Sequence, residues 1–122
     1  MGNINRTFPV PKSLFDEIES MYEFAESQRK EIKNFLEKKK YLYPILKEMR
    51  DKIFSIFGKE VRLCLELQRD PEEDFEKLFI IVKTNLSPNQ SLDLLDKFDE
   101  ECWLDVDDKI RKALEVDIEN MS

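Results

Sequence analysis

Residues 60–69 read EVRLCLELQR, and they change the rhythm of the chain: Val61, Leu63, Leu65 and Leu67 alternate with Arg62, Cys64, Glu66 and Gln68. Successive side chains of a strand point to opposite faces, so this alternation describes a half-buried strand. Upstream, the apolar residues recur at every third or fourth position, the spacing of one face of a helix. The stretch therefore divides a helical part from a sheet part and sets the class as α+β.

Downstream, Asp70-Pro71-Glu72-Glu73-Asp74 forms a polar connection around a strong turn former. FEKLFIIVKT (75–84) reads as a second strand, with Leu78, Ile80 and Val82 on one face. Phe79 and Ile81 make the other face apolar too, a pattern that predicts a central strand covered on both sides. Ser87-Pro88-Asn89-Gln90 then carries a strong helix start, with Ser as N-cap, Pro at the first helical position and Gln three residues after the cap. Leu92, Leu95, Phe98 and Cys102/Trp103 continue that helix. A short ambiguous segment follows, and LEVDIE (114–119) alternates as a third strand. The predicted order is β-β-α-β with a small, mainly antiparallel three-stranded sheet.

Upstream, Ser13 is an N-cap with Asp16 and Glu17 in the first turn, where acidic groups suit the helix dipole. Phe15, Ile18, Tyr22, Ala25, Ile32 and Leu36 trace one helical face over 13–40, interrupted at Gln28/Arg29. A second helix runs from Leu42 to Phe57 and closes at Gly58. Pro44 lacks an N–H and disfavours helical angles at Tyr43. Residues 13–57 are thus a helical hairpin or one long helix kinked at Pro44. Pro9 and Pro11 make residues 1–12 an arm. The whole is a single α+β domain over 13–122, with a helical part at 13–57 and a ββαβ part at 59–119.

Composition bounds the chemistry. The 122 residues are 41% hydrophobic and 39% charged, and there is no histidine. Imidazole-dependent dyads, triads and H-E-x-x-H metal sites are excluded. Gly58 is the one glycine beyond Gly2, so no glycine-rich phosphate loop can be written. Cys64 and Cys102 are expected to be buried, reduced thiols. The longest apolar run, Leu78–Val82, falls far short of the ~20 residues of a membrane span, and residues 1–12 carry no secretory pattern. These features predict a cytoplasmic chain without membrane partners or cofactors. The net charge of −7 is uneven: residues 1–59 carry +3 and residues 60–122 carry −10. Such polarity bears on association.

The strand ending Arg69-Asp70-Pro71-Glu72, the strand LFIIVKT, the helix SPNQSLDLLDKFDEECWL and the closing LEVDIE together resemble a family of small uncharacterised prokaryotic proteins. The resemblance covers 63–119. It implies an α+β domain of unassigned function and carries no catalytic residue across.

Three sets of residues are candidates for function. Asp105, Asp107 and Asp108 are metal candidates, because hard divalent ions take several carboxylate oxygens; with the other acidic residues of 93–108 they define a metal-dependent hydrolase or phosphotransferase reading. Lys38, Lys39, Lys40 and Tyr41 pair clustered cations with an aromatic ring, the ingredients of nucleic-acid contact. Trp103, Asp96, Asp99 and Glu100 are candidates for a protein partner, with Trp103 either a core anchor or an interfacial anchor. Two open sheet edges and two broad apolar helix faces predict a homodimer, and the acidic half predicts a basic protein partner. The leading expectation is a non-enzymatic protein–protein interaction module.

Overall fold

The computed structural model describes residues 13–70, 72 and 75–121. The arm expected at 1–12 lies outside the described residues, as does most of the 71–74 connection. Helix α1 (Leu14–Met21) starts on the Ser13 hydroxyl, which accepts from Asp16 N–H. A 3₁₀ turn (Glu26–Gln28) leads into α2 (Arg29–Lys38), and α3 (Leu42–Phe57) follows. Strands β1 (Arg62–Asp70) and β2 (Phe75–Thr84) come next, then α4 (Pro88–Phe98), a π-helical turn (Asp99–Trp103), α5 (Asp108–Ala113) and β3 (Leu114–Asn120).

The sheet order is β1-β2-β3. The β1–β2 pair is antiparallel and puts Leu63 opposite Val82, Leu65 opposite Ile80 and Leu67 opposite Leu78. The β2–β3 pair is parallel, with Leu78, Ile80 and Val82 beside Leu114, Val116 and Ile118. The sheet is therefore mixed rather than mainly antiparallel. The helical connection over 88–113 returns the chain to the starting end of β2, as a parallel neighbour requires. Those rows form a single apolar face buried against the helices, and Leu78, Ile80 and Val82 are fully enclosed. Each such side chain contributes roughly 1.5–3 kcal/mol of transfer free energy. The opposite face is not covered among the described residues: Phe79 and Ile81 are half-buried between Glu66, Cys64, Glu115 and Asp117. Among the described residues, helices pack on one side of β2 rather than on both.

The helical half differs from expectation in one decisive place. There is no continuous helix over 13–40: Tyr22 leaves α1 in extended conformation (φ −127°, ψ 146°). Its side chain is 3% exposed and its hydroxyl donates to the Leu46 carbonyl at 2.8 Å. The next residue joins the sheet, with Glu23 N–H donating to Leu63 O at 2.9 Å and Glu23 O accepting from Leu65 N–H at 2.7 Å. Tertiary hydrogen bonds and the burial of Tyr22 outweigh the modest helix propensity of Tyr22–Ala25.

Two separate helices follow, and the chain turns at Lys39–Tyr41 ahead of Pro44. Pro44 and Tyr43 lie in the first turn of α3, where a missing N–H costs no intrahelical bond. The chief helical neighbours of α3 are α1 and α4. Leu42, Leu46, Met49, Ile53 and Phe57 form its buried stripe. Gly58 ends it with φ +91°, a conformation that glycine adopts without strain. The Ser87 capping box forms as expected, with the Gln90 side chain returning to Ser87 N–H. Among the described residues, no helix is long and apolar enough to cross a membrane.

Candidate interaction surface

The two edges of the sheet are built differently. Ladder bonds to β2 use the even residues of β1, so the odd residues Leu63, Leu65 and Leu67 turn their backbone groups outward. Glu23 takes Leu63 O and Leu65 N–H, as described. The Gln28 side-chain amide takes both groups of Leu67: its Nε2 donates to Leu67 O at 3.0 Å, and its Oε1 accepts from Leu67 N–H at 3.1 Å. Arg62 clamps the Glu23 carboxylate from the strand with two bonds, which holds that carboxyl below the usual range. Residues 22–28 thus act as a clasp over β1.

The β3 edge has no such cover among the described residues. Met121 N–H donates to Thr84 O at 2.8 Å, so the odd residues of β3 face β2 and the even residues face outward. Val116 N–H and C=O and Ile118 C=O point away from the sheet. Ile118 N–H is taken by the neighbouring Asp117 carboxylate at 2.8 Å. Below this edge, Asn120 Nδ2 donates to Leu86 O and Ser91 Oγ, fixing the end of β3 to the start of α4.

The side chains around the β3 edge are acidic. On the open face, Glu115 pairs with Lys77 at 2.7 Å and Glu119 with Lys83 at 3.7 Å. Asp117 shares its row with Ile81 and Cys64 and has no cationic partner among the described residues. Asp99, at the end of α4, has its carboxyl pushed up by burial, then by the Asp96 and Glu115 carboxylates. Of the partner-binding candidates, Asp99 thus lies within electrostatic reach of both Asp96, one turn earlier on α4, and Glu115 of β3. Glu100 is exposed, and Trp103 is half-buried, its ring stacked on Phe98 at 6.2 Å. Trp103 is a core anchor with one side open to a hollow lined by Phe75, Lys77, Arg111 and Glu115.

A second surface feature joins residues from two other predicted sets. Lys39 and Tyr41 line a cleft of about 910 Å³ with Arg69, Phe75, Asp107 and Asp108. Its cations already have partners. Lys39 lies over the Phe35 ring at 5.5 Å, Lys109 over Tyr41 at 4.1 Å, Lys112 near Asp108 at 3.2 Å and Arg69 near Glu76 at 2.6 Å. Lys40 points instead to Glu37 at 3.9 Å. Lys38, Lys40 and Asp105 do not line the cleft. Asp107 serves as the N-cap of α5, accepting from Lys109 N–H at 3.0 Å. No group of three acidic or thiol side chains suited to a metal ion occurs among the described residues. Cys64 and Cys102 are half-buried and unpaired, and burial pushes both thiols up.

Glu23, Gln28 and Asp117 escape a reading of the sequence by motif. The interrupted apolar stripe at Gln28/Arg29 is the one trace of the clasp, and the acid at every second position of LEVDIE is the trace of the acidic edge. No protein-family model, curated protein or solved structure matches the chain.

Proposed function

We propose that this chain is a non-enzymatic protein–protein interaction module whose β3 side receives a basic partner. The observation that carries the reading is the unequal treatment of the two sheet edges: β1 is closed by residues 22–28, and β3 has no such cover among the described residues and is bordered by carboxylates. A strand edge with free backbone groups invites pairing, and a rim of like charge selects the sign of what approaches. A short oligolysine titrated into ¹⁵N-labelled protein should shift amides at 93–101 and 115–119, and an oligoglutamate should not. Shifts centred on Lys38–Tyr41, or none at low salt, would overturn it.

Self-association is the second reading, favoured by the uncovered sheet face around Phe79 and Ile81. Its earlier grounds are met in part within the chain, since the apolar stripe of α3 is buried and β1 is covered. A single monomer boundary in sedimentation velocity at micromolar concentration removes it. Nucleic-acid binding has less support, because the cations of the Lys39/Tyr41 cleft are matched by Asp70, Glu76, Asp107 and Asp108.

A further inference from the structure

We infer that the partner adds an extended segment along β3 as a fourth strand, one in which basic and apolar residues alternate. The inference rests on the reading above and names how the partner is held. Four considerations carry it.

First, the β3 edge offers a pairing pattern. Val116 contributes N–H and C=O outward, Ile118 contributes C=O, and Ile118 N–H becomes available when Asp117 releases it. Strand addition uses such main-chain groups for affinity and alternate side chains for specificity.

Second, the two faces beside β3 differ in chemistry. The open face presents Glu115, Asp117 and Glu119, and the helix side presents Val116 and Ile118. Period-two geometry means that an added strand shows basic residues to the first face and apolar residues to the second.

Third, Asp117 is the charge left to be met. Lys77 and Lys83 serve its two neighbours. Its carboxylate holds an edge N–H of its own chain in the free protein and can turn to a partner cation in the complex, so one side chain both guards the edge and recognises the visitor.

Fourth, a second copy fits poorly. The three antiparallel β3–β3 registers of greatest overlap that keep the apolar faces together, centred on Val116, Asp117 or Ile118, set Asp117 against Glu115, Asp117 or Glu119 of the other copy. Like charges directly opposite are destabilising.

The test uses the full chain and a short capped peptide of alternating lysine and valine, followed by fluorescence anisotropy and amide exchange. Two N-methylated versions block one edge of the peptide each. Methylation of the edge that pairs should weaken binding about tenfold, the loss of one or two net hydrogen bonds, and methylation of the other edge should leave it unchanged. The Val116 amide should gain at least about tenfold protection in the complex. Asp117→Lys should weaken the lysine peptide and admit a glutamate–valine peptide in its place, a reversal that misfolding would not produce. Equal binding of both methylated peptides, with Val116 unprotected, would overturn strand addition and leave the basic-partner reading standing. Failure of the peptide and of oligolysine alike would overturn both.

Discussion

One sheet carries two edges that solve the same problem in different ways. Along β1, the exposed backbone of Leu63, Leu65 and Leu67 is met by Glu23 and by the Gln28 amide. Along β3, the corresponding groups of Val116 have no partner among the described residues, and Ile118 N–H is held by an adjacent side chain. A backbone clasp is a permanent closure, since opening it also extracts Tyr22 from the core. A carboxylate on its own neighbour is a reversible one. The difference teaches that an open edge can be a chosen feature: the chain has a means of covering strands and, among the described residues, applies it to one side only.

The largest test of that contrast is to pull the clasp's anchor. Tyr22→Ala removes an almost fully buried ring and its bond to Leu46 O, and should cost about 3–5 kcal/mol in urea denaturation. Tyr22→Phe, which keeps the packing, should cost about 0.5–1.5 kcal/mol. Loss of stability confined to the Ala variant would show that packing rather than the hydroxyl holds the clasp.

Gln28→Ala touches the closed edge alone. It strips both partners from Leu67 and should cost about 1–3 kcal/mol, two net hydrogen bonds. Amide exchange reads the same contrast without mutation. In the native chain Leu65 and Leu67 should exchange slowly and Val116 fast, although all three side chains are buried. In the Gln28 variant Leu67 should join Val116. Equal protection of Leu67 and Val116 in the native chain would remove the distinction between the edges.

The smallest effects concern the charges. Asp96 and Asp99 are one turn apart, and like charges at that spacing cost about 0.2–0.5 kcal/mol, so Asp99→Asn should stabilise by that order. The sign also fixes the pH dependence. The Asp99 carboxyl is raised above its ordinary value of 3.8 by burial and by Asp96 and Glu115. The folded state therefore binds this proton more tightly, and stability from this group falls as pH rises from 3.8 through the raised value. Above that window the full penalty is present, and the Asn variant should lack this component. Asp117→Ala should change stability by less than about 0.5 kcal/mol but increase strand-mediated self-association in sedimentation, because it removes both the edge guard and a repelling charge.

Much of the architecture is legible in the sequence where local rules act alone. Alternation at Val61–Leu67, the ten residues of β2, the Ser87 capping box and the stop at Gly58 are each written in a short window. Strand direction is not, because Leu114–Glu119 shows the same alternation whether it lies parallel or antiparallel to β2. The break at Tyr22 is hidden for a related reason. Phe15, Ile18, Tyr22 and Ala25 keep helical spacing, and what ends α1 is a set of bonds to residues on a strand far along the chain. Charge asymmetry is readable by counting; the separation of the acids into a rim around β3 and caps around α5 needs three dimensions.

The clasp also has a bearing on the order of events during folding. Gln28 and Leu67 are 39 residues apart, so this contact closes a long loop and belongs among the slower steps of folding. Yet residues 22–28 precede β1 in the chain, and synthesis proceeds from the N-terminus. When β1 leaves the ribosome, the segment that will cover its edge has already emerged, and this strand need never wait for its cover.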